Sequence, residues 1–398
     1  MRKLILLFIC CATGLISYAQ PPETLLQTAQ QLMNSGKFAE AKRLYEIVLK
    51  NDPERYIAAY RLAEIHEQQK DYRKSLAYLN TAMDIALRFE QMAEEDTSSA
   101  ASAWNQQQFE ERLATLYHYQ GSLRNRLGEP YRALESFERS MALDSPYSAS
   151  LYTDQAISFA QLQENEKAEK LYIKAIQTDS AAEEAYYNLA LLRQKQKLPD
   201  KADSLLEISL RVAPKNVQGW VLKGNLHLTR EQYVQAIEYY DNAVSIDTAS
   251  EEAYFQRGVA NSRLLNAGRA EDDWTRAIEI NPSNGDSYRN RGIVRLRQEK
   301  FEQALEDFNK AFELLGNMSD LYLNRGFVML MLERPAEALE DIEKVLATEP
   351  ESSDTYLLAA AAHKALKNKN KACTYFREAI EKGADPDQAE RWFRRKCL

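Results

Sequence analysis

An alanine recurs every 34 residues, at Ala202, Ala236, Ala270, Ala304, Ala338 and Ala372, without a slip. Four residues after each stands a large side chain: Leu206, Tyr240, Trp274, Phe308, Ile342 and Phe376. Twelve before each stands a small one: Ala190, Gly224, Gly258, Gly292, Gly326 and Ala360. An aromatic precedes that small residue by four, at Tyr186, Trp220, Tyr254, Tyr288, Tyr322 and Tyr356. Pro214, Pro282 and Pro350 close three of the six units, where a missing N–H and a clash with the preceding turn stop a helix. A fixed period of this length means a small unit that stacks on its own copies, because none can bury its apolar face alone. Gly and Pro are otherwise scarce, at 13 and 11 of 398 residues, which favours helix nearly throughout.

The pattern resembles the tetratricopeptide repeat, an antiparallel helix pair of 34 residues. Counted within one unit, the small residues fall at positions 8 and 20 and the aromatics at 4 and 24. Small residues let the two helices approach, and the large ones fill the space beside them. The register extends upstream with more wear. A fourth unit carries Tyr152, Ala156, Ala168 and Tyr172, and a third Tyr117, Gly121, Ala133 and Phe137. A second has Ala63, Tyr72, Ser75 and Leu79, and a first Ala29, Gly36, Ala41, Tyr45 and Pro53. The resemblance implies an all-α fold, a right-handed superhelical α-solenoid of about ten helix pairs.

The array is expected to place two repeats over 22–89 and eight over 114–383, with residues 90–113 as an insertion. Within it, Glu94-Glu95-Asp96-Thr97-Ser98-Ser99 reads as an exposed acidic loop. From Trp104 onward, Phe109, Leu113 and Leu116 keep near-helical spacing, extending the next helix backward. At the other end Gly383 suits a left-handed helix terminus. Asp385 and Pro386 then open a capping helix within 384–398, with Trp392 and Phe393 turned inward.

Residues 1–19 have the anatomy of a secretory signal peptide: Arg2 and Lys3, an apolar run from Leu4 to Ile16, and small residues before a cut between Ala19 and Gln20. That run is short for a bilayer span, and Phe8 and Ile9 before Cys10 fit poorly with lipid attachment. An exported chain, periplasmic or envelope-associated and without an integral span once matured, is expected. The chain carries 51 basic and 59 acidic side chains, which gives no electrostatic footprint for nucleic acid.

Nothing points to catalysis or to a cofactor or metal. There is no Gly-rich phosphate loop and no Gly-x-Ser-x-Gly elbow. The four histidines are scattered, with His66 and His227 sharing repeat position 11, between the helices. After the signal peptide two cysteines remain, Cys373 and Cys397, each twelve residues from Asp385. Two helices packed about a turn there would bring them level, and an exported compartment permits a disulfide clamping the cap. Arg257, Arg291 and Arg325 at position 7 should pair with Asp273, Asp307 and Asp341 at position 23, as exposed salt bridges of small energetic weight.

In the family this chain resembles, the first helix of each unit lines a concave groove. Carrying its ligand-facing positions over gives Asn188, Gln256, Asn290 and Asn324 at position 6, whose carboxamides suit a peptide backbone. Tyr187 and Phe255 at position 5, with Val259, Ile293 and Phe327 at position 9, offer apolar contact. Arg263, Arg289 and Arg297 form a basic spot that could receive a carboxylate, while Glu252, Asp286 and Asp320 at position 2 line the same groove and could instead neutralise it. The resemblance therefore implies a protein–protein interaction scaffold that holds a peptide segment or assembly partner. Other roles it leaves open are a spacer in outer-membrane assembly or secretion, and an accessory subunit of an envelope enzyme or uptake system.

Overall fold

The computed structural model describes residues 21–95, 106–143, 147–349, 351–385 and 391–397. All regular structure among them is helical. The chain divides after Leu192 into two compact units, and the cut falls inside one helix, α9 (Glu183–Lys195). The first unit holds four hairpins: α1 (Pro22–Asn34) with α2 (Phe38–Asn51), α3 (Tyr56–Gln68) with α4 (Tyr72–Glu95), α5 (Gln106–Arg126) with α6 (Pro130–Leu143), and α7 (Ala149–Gln161) with α8 (Asn165–Thr178).

The second unit begins with α10 (Pro199–Val212) and continues in five hairpins. These are α11 (Val217–Thr229) with α12 (Tyr233–Ile246), α13 (Glu251–Arg263) with α14 (Ala267–Ile280), α15 (Gly285–Arg297) with α16 (Phe301–Leu315), α17 (Ser319–Met331) with α18 (Pro335–Thr348), and α19 (Ser353–Ala365) with α20 (Lys369–Glu381). The short α21 (Arg391–Lys396) follows. Each unit is an α-solenoid segment in which every hairpin also packs on the next.

The period is a packing rule. Ala236, Ala270, Ala304 and Ala338 at position 20 have no exposed surface, and Tyr240 and Phe308 at position 24 are equally buried. Position 8 meets that large side chain directly. A Cβ on Gly224 would lie 2.4 Å from the Tyr240 ring, and one on Gly258 2.8 Å from Trp274. Both contacts are closer than a real methyl group tolerates, so backbone itself forms the contact surface.

Each hairpin turns the same way. Position 15 has positive φ in all ten units: Gly36, Lys70, Gly128, Gln163, Lys197, Glu231, Leu265, Glu299, Glu333 and Lys367. The next N–H reaches back to the carbonyl of position 11, as from Gln232 to His227 and from Lys300 to Arg295, both at 2.9 Å. This closes the first helix in a Schellman arrangement. Only two of the ten positions hold glycine, the residue that adopts this conformation without steric cost.

At the insertion the structure departs from the sequence expectation. Glu94 and Glu95 are the last residues of α4, not part of a loop. The run Phe89-Glu90-Gln91-Met92-Ala93-Glu94-Glu95 holds neither Gly nor Pro and is mostly strong helix formers, so α4 continues to 24 residues. Helix α5 starts at Gln106, ahead of the register position at Ala114. Trp104, Asp96 to Ser99 and the residues expected to form a signal peptide, with Ala19 and Gln20, lie outside the described residues.

The C-terminal end is closed covalently. Cys373 on α20 and Cys397 just after α21 form a disulfide with Cα atoms 4.9 Å apart. Phe393, 4% exposed, stacks on Phe376 with ring centroids 4.9 Å apart. Arg377 donates twice to the carbonyl of Cys397, at 3.0 and 2.9 Å. The short helix thus covers the apolar side of the last hairpin, as an open repeat end requires. Pro386 and the side chain of Trp392 lie outside the described residues.

Candidate partner-binding site

In the second unit the first helices crowd together. Helix α11 meets α13, α15 meets α17 and α17 meets α19, while the second helices of successive hairpins do not meet to that extent. The first helices thus lie on the more closely packed side of the unit, and their positions 2, 5, 6, 9, 12 and 13 are those that the family resemblance implies to form its inner face. Tyr187 and Asn188 sit on α9 within the first unit, and the other expected groove residues belong to the second.

What holds this face in place is a set of charged staples. Arg257 donates to Asp273 at 3.0 and 2.6 Å and reaches Asp241 of the preceding hairpin at 2.6 Å. Arg291 does the same with Asp307, at 3.0 and 2.7 Å, and with Thr275 at 3.1 Å. Arg325 bonds Asp341 at 2.6 and 2.8 Å and Asn309 at 3.1 Å. Each arginine ties position 23 of its own hairpin to position 25 of the one before.

These are not the exposed pairs expected from sequence. Asp273, Asp307 and Asp341 are only 2–4% exposed, because position 23 faces the first helix rather than solvent. Burial pushes the Asp273 carboxyl up, against the pull of Arg257 and Asn261. Nearby Glu271 is held below its usual range. Burial opposes the shift, but hydrogen bonds from Lys300 and Arg295 outweigh it.

Three hairpins fill the same slot differently. His66, His227 and His363 all occupy position 11, and each lies against the tyrosine at position 23, with centroids 5.4 Å from Tyr78, 4.9 Å from Tyr239 and 5.1 Å from Tyr375. The sequence reading paired only the first two. His66 and His363 are 2% and 5% exposed, and burial lowers the pKa of both. They are packing residues.

The expected polar row is partly engaged by its own helix. Asn188 donates to the Glu184 carbonyl at 2.9 Å and Asn324 to the Asp320 carbonyl at 2.8 Å. Gln256 and Asn290 are half-buried. The expected basic spot of three arginines reduces to two. Arg289 lies 2.8 Å from Asp286 and 3.5 Å from Asp320, which neutralise it. Both carboxylates are among the position-2 acids that the sequence offered as neutralising the spot, and the second belongs to the next hairpin.

Phe255 is likewise more structural than expected. It packs half-buried against Ala270, Trp274 and Val294, and its carbonyl accepts from the Trp274 indole at 3.2 Å. Arg263 and Arg297 remain exposed. Phe327 is 39% exposed, and Met331, one turn later on the same face, 45%. Met331 was missed from sequence although it shares position 13 with both arginines. A shallow depression of about 300 Å³ between the α11/α12 and α13/α14 hairpins is lined by Leu228, Thr229, Glu231, Tyr233, Val259 and Arg263.

Family models described as tetratricopeptide repeat match residues 26–86 and 187–253, and another match covers 353–381. The chain is a tetratricopeptide-repeat protein. As a family, tetratricopeptide repeats are protein–protein interaction scaffolds. Subunit 3 of the anaphase-promoting complex of Schizosaccharomyces pombe is 26% identical over 129 residues, 32% of this chain and 19% of that protein. Among solved structures, YrrB, titled a TPR protein with an unusual peptide-binding site, is 21% identical, with 46% of this chain and 94% of that chain covered and a TM-score of 0.44. The type IV pilus biogenesis factor PilW is 19% identical, covering 52% and 96%, with a TM-score of 0.45. A tetratricopeptide repeat protein from Parabacteroides merdae is 19% identical, covering 63% and 97%, at 0.44.

Among the described residues of this tetratricopeptide-repeat chain, no group of three His, Cys, Asp or Glu is placed to hold a metal ion. No helix among them is long and apolar enough to cross a membrane.

Proposed function

We propose that this protein is a non-catalytic scaffold of the cell envelope that holds a segment of a partner protein on the inner face of its second unit. One observation carries the reading. Phe327 and Met331 expose large apolar surface side by side, on the face where the first helices converge. Exposed apolar surface in a concave, polar-rimmed setting favours an interaction site. The amides of Gln256 and Asn290, at position 6 of the two preceding hairpins, suit a main chain without reading its side chains.

The envelope assignment draws on the signal-peptide pattern of residues 1–19 and on the Cys373–Cys397 disulfide, a bond that persists in oxidising compartments. Mass spectrometry of the exported protein should find Gln20 at its N-terminus; an uncut or lipidated chain would sink that part. For the groove, a photo-reactive side chain at position 324 should capture a partner in cells. The capture should fall at least several-fold with Phe327→Glu, and less with Asn290→Ala. Unchanged capture in both variants would refute the groove.

A further inference from the structure

Seven arginines lie on α13, α15 and α17. Arg257, Arg291, Arg295 and Arg325 are bound to Asp or Glu side chains between the helices, and Arg289 is neutralised by Asp286 and Asp320. Arg263 and Arg297 alone are exposed, and neither has a carboxylate partner among the described residues. Both stand at position 13, so they line one rim of the inner face on successive hairpins. The next residue in that row is Met331, 45% exposed beside Phe327. A cation at a helix C-terminus is favoured by the helix dipole. The dipole does not explain why two cations and one exposed apolar side chain form a single row.

Resting on the groove reading above, we infer that this rim recognises a partner segment by two acidic side chains three residues apart and a bulky apolar one three residues further on. Neighbouring first helices lie about 10 Å apart, and an extended chain advances ~3.3 Å per residue. Every third residue of a peptide laid along the rim therefore meets the next position 13. Two carboxylates would meet the Arg263 and Arg297 guanidinium groups, and the apolar side chain would seat on Met331 and Phe327. Exposed guanidinium groups bind carboxylates through charge-assisted hydrogen bonds, and the apolar step fixes the register along the rim.

The test uses end-blocked, fluorescent heptapeptides and the full mature chain, read by anisotropy. The probes are Asp-Ser-Ser-Asp-Ser-Ser-Leu and its reverse order, each with a Lys-for-Asp counterpart and a version with the two Asp adjacent. One acidic probe should bind about tenfold tighter than either control, as expected for a charge-assisted pair. Arg297→Glu should remove that preference, and Arg263→Glu with Arg297→Glu should shift it to the Lys probe. Met331→Ser should weaken the acidic probe while keeping its preference over Lys.

Equal binding of acidic and Lys probes, equal binding of the adjacent-Asp version, or no binding of either acidic probe overturns the inference. In-cell capture separates it from the groove itself. Capture lost with Phe327→Glu but retained in the double arginine variant refutes the acidic motif and leaves the groove. Capture unchanged in Phe327→Glu, Asn290→Ala and the double arginine variant refutes both.

Discussion

The hairpin α5/α6 of the first unit and the hairpins α13/α14 to α17/α18 of the second solve one mechanical problem with different chemistry. In α5/α6, position 7 is Gln120. Its Nε2 donates to Asn80 of the preceding hairpin at 2.7 Å, and its Oε1 accepts from Ser136, at position 23, at 2.8 Å. The later hairpins put Arg and Asp at those two positions and reach back to the same place in the preceding hairpin, position 25. The staple is conserved in geometry and exchanged in charge. What the slot demands is a donor at position 7 long enough to reach position 25 of the hairpin before, with a hydrogen-bonding partner of either sense facing it at position 23.

The two chemistries should fail by different amounts. Asp307 accepts from both Arg291 and Arg295 while 2% exposed. Asp307→Ala leaves two guanidinium groups without their carboxylate in a largely dry site, expected to cost about 3–5 kcal/mol. Ser136→Ala removes a neutral hydroxyl that accepts from Arg124 and donates to Gln120, expected to cost about 1–2 kcal/mol. Urea midpoints of the two variants against the parent measure both. A loss with Asp307→Ala no larger than with Ser136→Ala would show that charge adds nothing to the staple.

Between these in size stands the C-terminal clamp. Reducing Cys373–Cys397, which closes a loop across a sequence separation of 24, should lower stability by roughly 3 kcal/mol at loop-closure magnitude. The loss should concentrate in the second unit. Hydrogen exchange of α20 amides, with Cys373→Ser as the non-reducible control, reads it; protection unaffected by reduction would mean the Phe376–Phe393 stack alone holds the cap.

Acid offers a sharper separation, because the neutral staple has nothing to titrate. His66 and His363 have folded pKa values lowered by burial. The unfolded chain therefore binds protons first as pH falls below about 6.5, and stability declines from there. Asp273 has the opposite sign: its raised pKa means the folded state takes up the proton more readily, so acid does not weaken that hairpin through this group. Glu271, with its lowered pKa, loses its contribution only below about 4.5. The decline in Tm from pH 7 to 5.5 should thus be reduced in His363→Phe and unchanged in Gln120→Leu. An unchanged slope in His363→Phe would assign it elsewhere.

How much of this could be read from sequence depended on whether a feature lay within one repeat. Ala236 and Tyr240, Arg257 and Asp273, and Cys373 and Cys397 each share a hairpin or its cap, so periodicity and symmetry about the turn brought them together on paper. The reach of Arg257 to Asp241 crosses from one hairpin to another and depends on the pitch of the stack. The burial of Asp307 was misjudged although its partners Arg291 and Arg295 lie in its own hairpin, because periodicity alone does not show how closely position 23 is pressed against the first helix. The common turn conformation was hidden because its usual marker, glycine, survives only at Gly36 and Gly128.

That last difference again sets the third hairpin against the seventh and yields the smallest effect. Position 15 is Gly128 in one and Leu265, 82% exposed, in the other, with φ of 73° and 60°. A side chain in the left-handed region costs about 1–2 kcal/mol, while glycine adds unfolded-state entropy worth roughly 0.5–1 kcal/mol. No atom lies within 4 Å of a Cβ built on Gly128, so backbone strain is the only term an alanine would add there. Leu265→Gly should therefore stabilise by about 0.5–1 kcal/mol, and Gly128→Ala should destabilise by a similar amount, seen as opposite shifts in Tm. The same sign in both variants would show that the turns differ in more than the residue that occupies them.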